Sequence, residues 1–279
     1  MANRFWVGGT GTWDNADTTH WASASNGAGG QTVPGSGDTV TFDGSSGGGT
    51  VTVNHASNTI QSLTMGAFTG TLDFATNDNN ITLTTSTGFS GTGTGARVLN
   101  MGDGTWTLSS TGSTWDVTTA TNFTLNRNGS TIAFTGTAST SSRVFIGNTA
   151  CTYNIVSFAA NTSGGLNSLT AGTTITTLQM TAPATLSLTG GITLTLTNAP
   201  TLAGTASNKS GIRSSSATSN AVISCASGTM TIDHGVLVGG LTFSGGATFT
   251  TTNTYGLLPL TGITPTATVG GGGGGLVIA

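Results

Sequence analysis

The residues that could carry acid–base chemistry in this chain are few, and every acidic side chain is an aspartate. Cleavage of a polysaccharide needs two carboxylates about 5 to 10 Å apart. The sequence offers two such pairs, Asp73 with Asp78 and Asp103 with Asp116. Asp78 and Asp103 lie in turn contexts, where Asp commonly binds its own backbone, whereas Asp73 and Asp116 lie in strand-like runs. Trp115, beside Asp116, would line a sugar groove if one existed, but we predict no catalytic residues and no enzyme.

Other kinds of reactive site have even less material to draw on. A Ser-His-Asp site would use His20, His55 or His234. Asp233 and His234 are sequence neighbours, and on a strand neighbours face opposite sides, so we predict that they do not orient each other. The chain has no Cys or His spacing typical of a metal site, so we predict no metal and no cofactor.

Two cysteines, Cys151 and Cys225, stand 74 positions apart in strand-like runs. A disulfide needs Cα atoms within about 7 Å. We therefore predict two buried free thiols.

The composition excludes several classes of partner. Charged residues make up 5% of the chain, and Lys209 is the single lysine. Because phosphate binding depends on clustered Lys and Arg, nucleic acid is not expected as a partner. No apolar run is long enough to span a bilayer, so membrane insertion is not expected either. The chain has 45 glycines and many Thr, Ser and Asn residues. With so few charges, its solubility would depend on hydroxyl and amide groups.

The elements that would position any site are short apolar pulses between turn residues. Ile81-Thr82-Leu83 shows the pattern, in which apolar and polar residues alternate with the period of a half-buried strand. The pulses recur mostly every eight to thirteen residues, and no window shows a helical period. The sequence therefore predicts an all-β fold, a parallel β-solenoid in the form of a right-handed β-helix, over 51–255. The Ser-rich stretch from Thr205 to Asn220 is predicted to be a loop that projects from it.

Residues 1–50 differ from this body and are predicted to be an N-terminal Trp/Gly-rich cap or docking segment. Trp6, Trp13 and Trp21 lie here among glycines. An open solenoid end exposes its apolar core, so terminal units must be atypical. The three indoles either pack as a lid on that end, or form a stacking platform for sugars or a docking patch for a partner.

These N-terminal residues also carry a resemblance. The frame W-x-G-G-x-G-x-W at 6–13, a further Trp at 21, and P-x-x-G-D-x-V-x-F-D at 34–43 resemble the opening of β-helical surface proteins. Those include autotransporter-like passenger domains and bacteriophage particle proteins. The segments Gly102-Asp103-Gly104-Thr105-Trp106, Asn128-Gly129-Ser130-Thr131-Ile132 and Ser227-Gly228-Thr229-Met230 are similar to phrases of the phage group. The resemblance implies a virion structural protein with a β-helical body.

The third predicted segment, 256–279, is a Pro/Gly-rich C-terminal arm. Six consecutive glycines, 270–275, precede Leu276-Val277-Ile278-Ala279, where the phage group carries an Asn-rich, Trp-containing close. Glycine runs are flexible tethers. Leu276, Val277 and Ile278 are therefore candidate binding residues, which either seal the last turn of the solenoid or add to a neighbouring subunit or capsid surface.

Together these features predict a non-enzymatic bacteriophage virion structural protein at the virion surface. A capsid decoration protein or head fibre is favoured over a tail fibre, because the chain is short and has no coiled coil. The expected partners are the major capsid protein or another virion protein, further copies of the chain (a homo-oligomer such as a trimer) and a host surface glycan. The alternative is a glycan-binding or depolymerising tail spike, or a bacterial surface adhesin.

Overall fold

A computed structural model describes residues 2–55, 57–118, 121–137, 141–161, 165–257 and 260–264, and this part of the chain is all β. The first fifteen strands are β1 (Ala2–Trp6), β2 (Gly11–Trp13), β3 (Trp21–Ala22), β4 (Asp38–Phe42), β5 (Thr50–Val53), β6 (Ser57–Ile60), β7 (Ser62–Met65), β8 (Thr71–Asp73), β9 (Asn80–Leu83), β10 (Phe89–Ser90), β11 (Arg97–Asn100), β12 (Thr105–Leu108), β13 (Thr114–Asp116), β14 (Phe123–Asn126) and β15 (Thr131–Phe134). One short 3-10 turn, Gly44–Ser46, lies between β4 and β5.

The remaining strands are equally short, with two longer exceptions in the middle of the chain. They are β16 (Arg143–Ile146), β17 (Thr152–Phe158), β18 (Asn167–Leu169), β19 (Thr173–Met180), β20 (Thr185–Leu188), β21 (Thr193–Leu196), β22 (Thr201–Ala203), β23 (Ser210–Ser214), β24 (Ala221–Cys225), β25 (Thr229–Asp233), β26 (Gly235–Val238), β27 (Leu241–Gly245), β28 (Thr248–Thr252), β29 (Tyr255–Leu257) and β30 (Leu260–Thr261). Within the described ranges there is no helix that could cross a membrane.

The strands form long parallel sheets, as in a β-solenoid. A twelve-stranded sheet has the order β29-β26-β23-β20-β18-β16-β13-β10-β7-β4-β1-β3, and a ten-stranded sheet has the order β30-β27-β24-β21-β19-β17-β15-β12-β9-β6. A five-stranded sheet (β14-β11-β8-β5-β2) and a three-stranded sheet (β22-β25-β28) complete the set. Among the described residues, the pairing of β1 with β3 is antiparallel and the other ladders are parallel. The predictions of an all-β chain and of parallel strands are confirmed.

The order in which the chain visits these sheets changes along its length. From β4 to β15 the chain runs from the twelve-stranded to the five-stranded and then to the ten-stranded sheet. From β16 to β21 it alternates between the two long sheets alone. From β22 onward the third sheet follows the ten-stranded one instead of preceding it. In the N-terminal turns the five-stranded sheet therefore connects the twelve-stranded sheet to the following strand of the ten-stranded sheet. In the C-terminal turns the three-stranded sheet connects the ten-stranded sheet to the following strand of the twelve-stranded sheet.

Arg127 marks the place where the five-stranded sheet ends. It follows β14, the last strand of that sheet, and its Nη1 donates to Asn154 Oδ1 at 3.3 Å and to Thr176 Oγ1 at 2.6 Å. Asn154 lies on β17 and Thr176 on β19, which belong to successive turns of the ten-stranded sheet. The Arg127 guanidinium thus donates hydrogen bonds to two strands of the ten-stranded sheet, just after the chain leaves the last strand of the five-stranded sheet.

The core is a continuous stack of inward-facing side chains. On the ten-stranded sheet, Ile60, Leu83, Leu108, Phe134 and Phe158 are in register and fully buried. Their aromatic neighbours form an unbroken chain with centroid distances of 4.6 to 6.4 Å, spacings typical of edge-to-face and offset packing. In order, the rings are Trp6, Trp21, Trp13, Phe74, Trp106, Trp115, Tyr153, Phe145, Phe134 and Phe158.

Polar ladders hold the corners of successive turns together. Asn126 Nδ2 donates to Asn100 Oδ1 at 2.7 Å, and Asn100 Nδ2 donates to Asp73 Oδ1 at 3.3 Å. At a second corner the backbone N–H of Asp103 donates to Asp78 Oδ1 at 2.8 Å, and that of Gly129 donates to Asp103 Oδ1 at 2.7 Å. Each such bond satisfies a backbone or amide group that a tight corner leaves unpaired.

The sheets extend past both predicted boundaries of the body. Strands β1 and β4 belong to the twelve-stranded sheet, and β2 begins the five-stranded sheet, although all three lie in the predicted cap at 1–50. Strands β29 and β30 extend the two long sheets into the predicted arm at 256–279. In the described residues, the strand pairings of the body therefore continue on both sides of 51–255.

The prediction that Thr205–Asn220 projects as a loop is wrong for its centre. Ser210–Ser214 forms β23, which pairs in parallel with β20 and β26. Ile212 is the reason, because it is 1% exposed and in register with Leu186 and Leu237 in the core. One inward apolar side chain suffices for a strand here, since the neighbouring turns already supply both hydrogen-bonding partners.

Candidate functional site

Trp6, Trp13 and Trp21 form the first layer of the core. All three have no exposed surface. Trp21 lies edge-on to Trp6 at 5.1 Å and to Trp13 at 5.2 Å, and Phe42 lies beneath at 5.9 Å from Trp6. The antiparallel pairing of β1 with β3 sets Trp6 directly opposite Trp21. The indole faces are covered by protein, so an external sugar would find no stacking surface on them.

His20 explains the glycines around Trp6. Its ring stacks on Trp6 at 4.6 Å with an interplanar angle of 6°, and its Nδ1 lies 2.7 Å from the Val7 carbonyl oxygen. A Cβ on Gly8 would lie 2.9 Å from His20 Nδ1, and one on Gly11 would lie 2.6 Å from Nε2. The W-x-G-G-x-G frame therefore leaves room for a histidine that covers the tryptophan from outside.

The aspartates proposed as pairs serve the turns. Asp73 Oδ1 accepts from the Ala75 backbone at 3.0 Å, and its Oδ2 accepts from Thr76 Oγ1 at 2.5 Å. Asp116 Oδ1 accepts from the backbone N–H and the hydroxyl of Thr118 at 2.9 and 2.7 Å. These are Asx-turn contacts to the residues that follow.

Stacking between turns brings together different partners from those the sequence suggested. Asp78 contacts Asp103 through the backbone N–H of Asp103, and Asp73 contacts Asn100. Asp116 ends β13 on the twelve-stranded sheet, whereas Asp103 precedes β12 on the ten-stranded sheet. Trp115 is fully buried and so does not line a groove beside Asp116.

The prediction that Asp233 and His234 do not orient each other is wrong. His234 Nδ1 lies 2.9 Å from Asp233 Oδ1. The reason is that β25 ends at Asp233 and His234 has a left-handed backbone with φ of 47°, so the two side chains do not alternate as on a strand. The contact lies at a partly exposed corner of the solenoid-like stack.

The structure also bears on the sequence predictions for the two cysteines and for the residue types that could bind a metal ion. Cys151 and Cys225 are free and buried, as predicted. Burial raises the pKa of the Cys151 thiol, and a thiol that stays protonated is a poor nucleophile and a poor ligand. The described residues contain no cluster of three His, Cys, Asp or Glu side chains that could hold a metal ion.

Two buried arginines escaped the sequence analysis. Arg97 is 1% exposed, and its Nη1 donates to the Gly95 carbonyl at 2.7 Å while its Nε donates to Gly91 at 3.1 Å. Arg143 is fully buried, and its guanidinium donates to the carbonyls of Ala159 and Ala160 at 2.6 and 2.8 Å. Each arginine begins a strand and points inward, where it ties loop carbonyls to the sheet. The sequence places both arginines beside apolar strand residues, but it does not show which backbone carbonyls they bind.

The outer face of the ten-stranded sheet is the largest feature that the sequence analysis missed. None of its ten strands contains a charged residue. Thr59, Thr82 and Thr107 are in register and half-buried on the outside, while their neighbours face the core. A second outward row further along consists of Thr174, Thr195, Ser224 and Ser244. We call this surface the hydroxyl face. At about 4.8 Å between strands, it is roughly 43 Å long.

The twelve-stranded sheet offers a contrast. Its strands carry Arg4, Asp38, Asp116, Arg143 and Arg213. The hydroxyl face is therefore a property of one sheet and does not follow simply from the low charge of the chain. The Thr-rich pulses were a sequence signal for it, but the register that aligns them depends on the lengths of the intervening turns.

No protein-family model, curated protein or solved structure matches this chain. A functional proposal therefore depends on the chain's own geometry. Leu276, Val277 and Ile278, the other candidate binding residues, lie outside the described residues.

Proposed function

We propose that this chain is a non-enzymatic structural protein on the outside of a bacteriophage particle. A capsid decoration protein or head fibre is the preferred role, and a tail fibre is the next. We further propose that its parallel sheets wind as a right-handed β-helix with the Trp6–Trp13–Trp21 layer as its N-terminal cap. Support for the handedness is general, because crossovers between parallel strands are right-handed in about 98% of cases.

The observation that carries the proposal is the hydroxyl face on an uninterrupted core. A parallel stack of this kind has no break between Trp6 and Phe243, since their side chains belong to a single buried cluster. Such a body is a stiff spacer with long flat sides. The strands of the hydroxyl face carry no charged residue, and the Arg127 guanidinium that reaches this face is bonded to Asn154 and Thr176. A side with so little charge meets little like-charge repulsion when it contacts an identical or a neutral surface.

The acidic side chains support a role without catalysis. A general acid or a nucleophile must be free to reach its substrate. Asp73, Asp103 and Asp116 instead accept hydrogen bonds from groups of the protein's own turns. Their contribution is to hold the corners in shape.

The hydroxyl face also suggests the partners. We propose that it contacts further copies of the chain, as a trimer or another homo-oligomer, or the major capsid protein or another virion protein. An interface of about 800 Å² on each partner is usual for stable complexes. The hydroxyl face, roughly 43 Å by 13 Å for four-residue strands, provides most of that area. A host surface glycan is a further partner that hydroxyl-rich surfaces suit, whereas nucleic acid and membrane insertion are not part of the proposal.

A glycan screen combined with a reducing-end assay tests the non-enzymatic role. We expect no release of reducing ends from host polysaccharides by the wild-type chain, because its aspartates are engaged in turns. The matched variants are Asp116→Ala and Asp233→Ala, the second of which removes an acid at a different corner. Cleavage that Asp116→Ala abolishes and Asp233→Ala leaves intact would overturn the proposal in favour of a depolymerising tail spike. Binding without cleavage would favour an adhesin or a receptor-binding fibre.

A further inference from the structure

The charges of this chain are separated along the stack. Residues 1–126 hold eight of the nine aspartates and two arginines, a formal charge of −6, whereas residues 127–279 hold the other four cations and Asp233, a formal charge of +3. In the two long sheets the strands of successive turns lie side by side in chain order, so position in the sequence corresponds to position along the stack. The early turns are therefore acidic and the late turns are basic.

The outer face of the twelve-stranded sheet shows this separation in single side chains. Asp116 on β13 and Arg213 on β23 follow the buried core residues Trp115 and Ile212, and so they point outward. Four strand steps separate them in the order β23-β20-β18-β16-β13, a distance of about 19 Å. On the three strands between them the one charged side chain is Arg143, which is buried in the core.

In the described part of the chain, Arg213 has no counter-ion. Its neighbours in register are Ser187 and Val238, and the ion pairs of the described residues do not include it. Its Nε is buried without a hydrogen-bond partner in the same part of the chain. Because a buried donor without a partner costs free energy, a carboxylate from another molecule would stabilise this guanidinium.

Asp116 has the capacity to be that carboxylate. Its side chain is half-buried, and its Oδ1 accepts from the backbone N–H and the hydroxyl of Thr118. A carboxylate offers about four lone-pair sites on its two oxygens, so this turn uses about half of them. The turn also holds the carboxylate in place, and a fixed side chain loses less entropy when a guanidinium binds it.

We propose that two copies of this chain pack antiparallel through the outer faces of their twelve-stranded sheets. A two-fold axis along β18, halfway between β13 and β23, brings Arg213 of each copy to Asp116 of the other, so that one contact is formed twice. Arg213 lies in the column of Thr114, two residues before Asp116. Its long side chain spans that offset of roughly 7 Å along the strand. The proposal does not depend on the phage role proposed above.

The surface around this axis suits a second copy in the antiparallel orientation. Val144, Ile146 and Ser168 are half-buried and face outward there, so the centre of the contact is apolar or small. The overlap covers the nine strands from β7 to β29, about 1,000 Å² for both partners together, which is the lower range of specific interfaces. A parallel arrangement would set like charges against each other, which weakens binding. The hydroxyl face lies on the other long sheet and remains available to the other proposed partners.

Charge reversal in the full-length chain, measured by sedimentation velocity at low salt, tests this inference. The wild-type chain is expected to dimerise. Arg213→Asp and Asp116→Arg each create two like-charge contacts, and each should raise the dimer Kd at least about a hundredfold. An equimolar mixture of the two variants should form a heterodimer, because both of its contacts again join opposite charges. The double variant Arg213→Asp with Asp116→Arg should dimerise like the wild type for the same reason.

Thr107→Arg is the matched control, because it adds a charge to the hydroxyl face, and it should leave the dimer intact. A wild-type chain that stays monomeric at about 0.1 mM would overturn the proposal. A dimer that Thr107→Arg disrupts and Arg213→Asp does not would place the contact on the hydroxyl face instead. A mixture that stays monomeric like its two components would show that the two side chains do not meet. Arg213→Gln decides the matter if a reversal variant fails to fold, since loss of the charge alone should raise the Kd at least about tenfold, and an unchanged Kd would contradict the contact.

Discussion

Leu83→Asp is expected to destabilise the protein by several kcal/mol, whereas Thr82→Asp, one residue away, should change the free energy of unfolding by less than about 1 kcal/mol. Leu83 is fully buried between Ile60 and Leu108, its partners in the turns before and after. A carboxylate there would be unpaired and cut off from water. Thr82 faces outward on the hydroxyl face, where water solvates a charge. Urea denaturation followed by tryptophan fluorescence measures both variants.

Equal loss of stability in the two variants would show that the inward and outward faces of β9 are assigned wrongly. Leu83→Asn provides a control of similar shape without a charge. It should cost less than Leu83→Asp at neutral pH, and the difference should shrink as the pH falls and the new carboxylate becomes protonated.

Trp13→Ala is the second substitution with a large expected effect, a loss of about 3 to 5 kcal/mol. The Trp13 ring fills the space between Trp21, Phe42 and Phe74, at centroid distances of 5.2, 6.2 and 6.4 Å. Alanine leaves a cavity there that the short strands β2 and β5 cannot close, because each is held in register by its neighbours. Thermal unfolding measured by circular dichroism quantifies the loss.

Trp13→Phe is the matched control. The Trp13 Nε1 has no hydrogen-bond partner in the described part of the chain. Replacement by phenylalanine therefore reduces the side-chain volume but breaks no hydrogen bond. It should cost clearly less than alanine. A neutral Trp13→Ala variant would contradict the view of the three tryptophans as the end of the core, and would reopen a role for them at the surface.

The all-β architecture was predictable from the sequence because it depends on local alternation. Ile81-Thr82-Leu83 is an example, in which the two apolar residues are buried and the threonine faces outward, as the period of two requires. Trp6, Trp13 and Trp21 could be singled out as bulky apolar residues among glycines, but the sequence left open whether they pack as a lid or form a surface patch. Their complete burial is a tertiary property. Cys151 and Cys225 were likewise predictable as buried free thiols.

Contacts between turns were not predictable, because the turns differ in length. Leu169 is in register with Leu188, 19 residues later, whereas Trp115 is in register with Phe145, 30 residues later. With such variation the sequence alone does not say which threonines align, so the hydroxyl face was missed. The same uncertainty concealed the stacking of Asp78 on Asp103 and the partners of Arg97.

Backbone conformation at single residues was the other source of error. His234 adopts a left-handed conformation that ends β25, and this brings its imidazole to Asp233. Ser210–Ser214 became a strand because Ile212 reaches the core between two existing strands. The first case depends on one φ angle, and the second depends on contacts with the neighbouring turns. Neither produces a periodic pattern in the sequence.

Localisation in the intact particle tests the proposed role most directly. Cryo-electron microscopy of phage particles that encode this chain, with and without its gene, should show a difference density on the outer surface of the capsid or, next, on the tail. The density is expected to be a rod of roughly 50 Å for a twelve-stranded sheet at about 4.8 Å per strand, with the hydroxyl face against a neighbour. Identical particles in both preparations, with the protein recovered only outside them, would contradict the account.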